Sequence, residues 1–105
     1  MFRFIYLLFK NKYNYKKIRI KAIDSEHSLQ EQFHKIQEEY LEVLYEYNLL
    51  LENNNIKNQI KIVEELCDLI QTCISFIDNN TFIGIEEAIK HHNKKMEKRK
   101  WKARD

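Results

Sequence analysis

Two short stretches in the middle of the chain carry acids at a spacing that can do chemistry: EEYLE, with Glu38, Glu39 and Glu42, and EELCD, with Glu65 and Asp68. Glu39 and Glu42 are three apart, as are Glu65 and Asp68, so each pair shares one side of a helix. Around the second pair stand Leu66, Leu69 and Ile70, residues of a helix interior, where a carboxylate is seldom kept unless it is paired or binds a metal. Carboxylates gathered in one place repel and raise each other's pKa. A hard divalent cation resolves that conflict: Mg²⁺ and Mn²⁺ prefer oxygen ligands, and Mg²⁺ is commonly held by carboxylates together with water and phosphate.

Helical geometry, at about 100° per residue, shows how two elements could bring the acids together. With Glu39 at zero, Ile36, Tyr40, Val43, Tyr47 and Leu50 fall between roughly 20° and 100°, and Glu42 lies near 300° with Glu46 between the two acids. With Glu65 at zero, Ile62, Leu66, Leu69, Ile70, Cys73 and Phe76 span roughly 20° to 140°, and Asp68 again lies near 300°. Each helix therefore places a pair of acids at the same edge of its apolar stripe. Antiparallel packing of the two stripes is predicted to converge Glu39, Glu42, Glu65 and Asp68 on one spot. The competing explanation is a solvated acidic face, since glutamate is a good helix former.

The elements that must position these acids are legible in the pattern. The chain has 105 residues, no proline and a single glycine, Gly84; barrels and sandwiches need turn residues in quantity, whereas long helices need none, so the fold class is all-α. Ser28 with Glu31 three residues on forms a capping-box signature for a helix over 28–53, which ends in ENNN. A second helix is predicted over 56–78 and broken by Asn79 and Asn80, and a third over 82–100 with Thr81 as its cap. Residues 1–24 read as an N-terminal extension to the helical domain of residues 25–105. Within it KIRIKAI alternates as a short strand would, and Phe2–Phe9 either pairs with it or forms a short helix.

Eighteen basic residues against sixteen acidic ones leave a net charge of +2, which makes no case for binding a nucleic acid polymer. The basic residues crowd both ends and the acids lie between Glu26 and Asp68, so a basic segment can fold onto an acidic site. The apolar run MFRFIYLLF is interrupted by Arg3 and stops at Lys10, too short to span a bilayer and without a small-residue cleavage site. Its aromatics are expected to dock on the domain or on a partner chain. Cys67 and Cys73 lie about 600° apart around a helix and cannot pair within it. Reduced thiols and the missing secretory signal point to a cytoplasmic protein with no membrane span.

EEYLE followed by EELCD resembles the EExxE…ExxD signature of MazG-like nucleotide pyrophosphohydrolases, of the all-α NTP pyrophosphatase superfamily, and NKKMEKRKW resembles that family's N-x-K-hydrophobic-x-basic-R segment. The similarity covers about residues 30–101 and leaves the first 24 unassigned. It implies a Mg²⁺-dependent enzyme, with Mn²⁺ an alternative, that cleaves a nucleoside triphosphate between its α- and β-phosphates. By the same resemblance Glu39, Glu42, Glu65 and Asp68 are the metal ligands and Asn93, Lys95 and Arg99 lie at the substrate phosphates; the chemistry of such a site leaves a spare carboxylate, Glu38 or Glu42, to serve as base. Larger family members duplicate the domain, whereas this chain has one three-helix unit. The expected architecture is thus an antiparallel bundle of three main helices completed by assembly into a homodimer or homotetramer. Broad apolar stripes on so small a unit point to the same assembly.

Other residues have plainer readings. Adjacent His91 and His92 point about 100° apart and cannot readily share a metal, so they are expected in solvent. Tyr40 and Tyr47 are assigned to packing. Trp101 could stack on a base, but aromatics at helical spacing are usually core. Two alternatives remain: a phosphoribosyl-ATP pyrophosphatase-like enzyme, and a non-catalytic helical module that binds partner helices through the same stripes.

Overall fold

A computed structural model describes residues 26–99, and among them every regular element is a helix: α1 (Leu29–Glu52), α2 (Ile56–Asn80) and α3 (Ile85–Lys98). The strand and hairpin expected in residues 1–24 lie outside the described residues. α1 starts where the capping box placed it. The Ser28 hydroxyl accepts from the Glu31 backbone N–H at 3.1 Å, and the Ser28 N–H donates to Glu31 Oε1 at 3.2 Å. Two of the donors that a helix start leaves unpaired are thereby satisfied.

The three consecutive asparagines build the turn between α1 and α2. Asn53 caps α1 with its N–H on the Leu49 carbonyl, and Asn55 caps α2 by accepting the Asn58 N–H at 2.9 Å. Asn58 Nδ2 then donates to the carbonyls of Leu49 and Asn53, at 3.3 and 2.8 Å, tying the start of α2 to the end of α1. A three-residue connection closed in this way forces the two helices to lie side by side and antiparallel.

Asn79 and Asn80 do not break α2, contrary to the sequence pattern. Their side-chain amides donate to the carbonyls four residues back, on Ser75 and Phe76, at 2.8 and 3.0 Å, so both side chains bond within the helix instead of turning the chain out of it. Asn80 also exchanges two hydrogen bonds with Gln32 of α1, at 2.9 and 3.3 Å. This clamp spans the open end of the hairpin. Thr81 ends α2, with its hydroxyl on the Ile77 carbonyl at 2.8 Å, rather than starting α3; Gly84 occupies the N-cap of α3.

The seam of the hairpin differs from the stripes drawn on helical wheels. On α1 the most covered positions are Gln32, Ile36, Glu39, Val43, Glu46, Leu49 and Leu50, and on the facing stretch of α2 they include Asn58, Ile62, Glu65 and Leu69. Steps of four and three repeat along both helices, the 3.5-residue seam of two helices packed nearly in line. Phe33 and Phe76 meet edge to face across it, with centroids 6.0 Å apart. Glu39 and Glu65 therefore sit in the seam, not at its edge. Tyr40 and Tyr47, assigned to packing, fall outside it and are about half exposed.

Among the described residues no apolar side chain is buried, and Leu41, Tyr45, Leu51, Ile60 and Val63 are all more than half exposed. α3 belongs to a compact unit separate from the hairpin. Glu86 and Glu87 in its first turn and Lys95 and Lys98 in its last complement the helix dipole. His91 and His92 are exposed, as expected. No described helix is long and apolar enough to cross a membrane.

Candidate metal centre

Glu39 is the one buried charged residue among those described, at 7% exposure. It is placed there by the seam repeat and tethered by Lys35, one turn earlier, whose Nζ lies 3.0 Å from Oε1. The same ammonium lies 3.7 Å from Glu38 Oε2. The second oxygen of Glu39, Oε2, is buried without a hydrogen-bond partner, and so is Oε2 of Glu65. Orphaned buried acceptors of this kind are rare, because each forfeits its hydration.

Carboxylate oxygens of Glu39, Glu42 and Glu65 lie within 4.8 Å of one another. Glu42 comes from the next turn of α1 and Glu65 from across the seam. Glu42 is exposed, yet its carboxyl is held above the ordinary range, first by its hydrogen-bond contact and repulsion with Glu39 and then by Glu65. The group shares negative charge at closer range than solvated acids would choose. All of its donors are oxygens, which suits a hard cation such as Mg²⁺ or Mn²⁺ and not a thiophilic metal. The cluster includes both residues that carry an orphaned oxygen. Cys67, two residues after Glu65, is exposed, and Cys73 is half-buried with burial pushing its thiol up; both are free thiols.

Asp68 lies one turn further along α2 and is not in this group of three oxygens. It lines an open groove of about 940 Å³ together with Lys35, Glu38 and Glu39. Glu38 faces both this groove and a smaller recess of about 440 Å³ that Glu42 and Glu65 also line. The residues expected at the phosphates sit on the other unit: Asn93 is half-buried on α3, Lys95 is exposed on its last turn, and Arg99 is its C-cap. Lys35 was not singled out from the sequence, although a lysine four residues before Glu39 is a legible ion-pair signal.

Comparison with models of known families, with curated proteins and with solved structures finds no match to this chain.

Proposed function

We propose that the protein is a Mg²⁺-dependent nucleoside triphosphate pyrophosphohydrolase of the MazG-like kind, converting its substrate to a monophosphate and pyrophosphate. The observation that carries this reading is the meeting of Glu39, Glu42 and Glu65 within 4.8 Å across two helices, with a buried oxygen on Glu39 and another on Glu65 left without partners. The motif resemblance supplies the reaction; the cluster supports the site.

Glu39, Glu42 and Glu65 hold the cation, with Asp68 completing the proposed ligand set. A bound Mg²⁺, or Mn²⁺ in its place, supplies charge neutralisation at the phosphoryl oxygens and lowers the pKa of the attacking water. Phosphoryl transfer needs little else beyond alignment. A carboxylate committed to a cation is a poor base, so Glu38, exposed and at the groove, takes the proton of the water that attacks the α-phosphorus. The motif resemblance assigns Asn93, Lys95 and Arg99 to the substrate phosphates. The antiparallel bundle is completed by a second copy, in a homodimer or homotetramer, which covers the exposed apolar faces of α1 and α2.

The direct test is a panel of nucleoside and deoxynucleoside triphosphates incubated with Mg²⁺ while pyrophosphate and monophosphate are measured. Chelator-sensitive release from at least one of them is expected. A panel without turnover in Mg²⁺ or Mn²⁺ overturns the enzymatic reading and favours the helical interaction module.

A further inference from the structure

We infer that Lys35 is an exchangeable counter-ion. Its ammonium neutralises Glu39 while the carboxylate cluster holds no cation, and it transfers to a phosphate of the ligand once a metal–polyphosphate complex is bound. The inference rests on the reading of the cluster as a metal centre.

Three observations lead to it. First, Lys35 occupies Oε1 of Glu39 at 3.0 Å while Oε2 of the same carboxylate is buried and unpartnered. One carboxylate thus has one oxygen on an ammonium and the other without a hydrogen-bond partner. Second, the Lys35 side chain is about half exposed (52%), and Glu38 and Glu42 near it are exposed. Lys35 is therefore anchored at one end of a flexible stem and is not locked by packing. Third, Lys35 is the one lysine or arginine among the described residues lining the open groove, whose lining also holds His27, His34 and the carboxylates of Glu26, Glu31, Glu38, Glu39 and Asp68.

That charge balance decides the order of events. Among the described residues of the groove carboxylates outnumber lysines and arginines, so a bare polyphosphate is repelled there. It can enter only with charge brought by a divalent ion. Glu39, Glu42 and Glu65 would hold the cation, whose positive charge would replace that of Lys35 at Glu39 and leave the ammonium free to move. The displaced ammonium has the groove as its open side. There a phosphate oxygen offers a charge-assisted hydrogen bond to replace the one lost. Lys35 then contributes to ligand binding from α1, independently of the basic residues on α3.

The two roles predict effects of opposite sign. Lys35→Met removes a competitor for Glu39, so Mn²⁺ alone, followed by the paramagnetic signal of the free ion, should bind about fivefold to tenfold tighter. The same variant should bind inorganic pyrophosphate in saturating Mg²⁺ about tenfold more weakly, measured by titration calorimetry. Lys35→Arg keeps the charge and should stay close to wild type in both measurements. Lys35→Gln serves as the neutral variant if circular dichroism shows that the methionine variant loses helix. Unchanged or weaker Mn²⁺ binding in the neutral variant overturns the counter-ion role, since a residue that only positions Glu39 would weaken the metal. Unchanged pyrophosphate binding overturns the transfer. Failure of the wild type itself to bind Mn²⁺ overturns the metal centre and this inference together, whereas wild-type binding that the neutral variant leaves untouched overturns this inference alone.

Discussion

Replacing Glu65 by glutamine removes one charge from the seam while leaving side-chain size and helix propensity nearly unchanged. Glu65 and Glu39 present oxygens within 4.8 Å of each other. Two like charges at that separation repel by about 3.5 kcal/mol at an effective dielectric constant of about 20, and by about 0.9 kcal/mol in bulk water. Glu65 is half-buried, and Lys35 already offsets part of the Glu39 charge, so a relief of about 1 kcal/mol is the working figure. The glutamine amide can also donate to the unpartnered oxygen of Glu39. In chelator, Glu65→Gln should therefore melt about 4–8 °C above wild type. Mg²⁺ should stabilise the wild type, because it binds the folded state, and should do much less for the variant. Turnover should fall about a thousandfold, since the interaction lost is one that neutralises transition-state charge. The assay is circular dichroism, melting with and without Mg²⁺, and pyrophosphate release on one preparation. A variant that melts lower in chelator and keeps full turnover would identify Glu65 as an ordinary structural acid and refute the reasoning.

Three further outcomes follow from the same structure. Glu42 has its folded-state pKa raised above 4.5 by Glu39 and Glu65, so the folded chain holds this proton more tightly than the unfolded chain and is destabilised once the proton leaves. Glu42→Gln should accordingly raise the chelator melting temperature at pH 7, with a gain that fades as pH falls toward 4.5; a constant gain across that range contradicts the electrostatic cause. Ser28→Ala removes the acceptor for the Glu31 N–H and should cost about 1 kcal/mol in a urea melt, leaving metal binding intact. Light scattering at micromolar concentration should give a dimer or larger assembly, because α1 and α2 leave large apolar side chains exposed; a single 12.9 kDa species would show that those faces stay uncovered.

Local chemistry alone settled the helical content and the start of α1. Ser28 and Glu31 are three residues apart and satisfy each other without help from any distant group, so their capping box is readable in the sequence. The asparagines at 53–55 likewise mark a turn by composition, and the pairing of acids three apart announces a shared helix face. Asn79 and Asn80 carry the same local signal as the turn asparagines and mean something else. α2 continues through them because Asn80 finds Gln32, 48 residues away in sequence, a partner that no local pattern can supply. The wheel placed Glu39 and Glu65 at the margin of each apolar stripe, since a stripe is drawn from one helix's own composition. The seam is set by the partner helix and by the short turn joining them, and it follows the narrower 3.5-residue repeat that brings Gln32, Glu39 and Glu46 inward. That choice buries Glu39, orphans one of its oxygens, turns Lys35 into its counter-ion and leaves Asp68 in the neighbouring groove. The identities of the acids were thus legible along the chain; which of them meet was decided by the packing of two helices, because a distance across a seam depends on both faces at once.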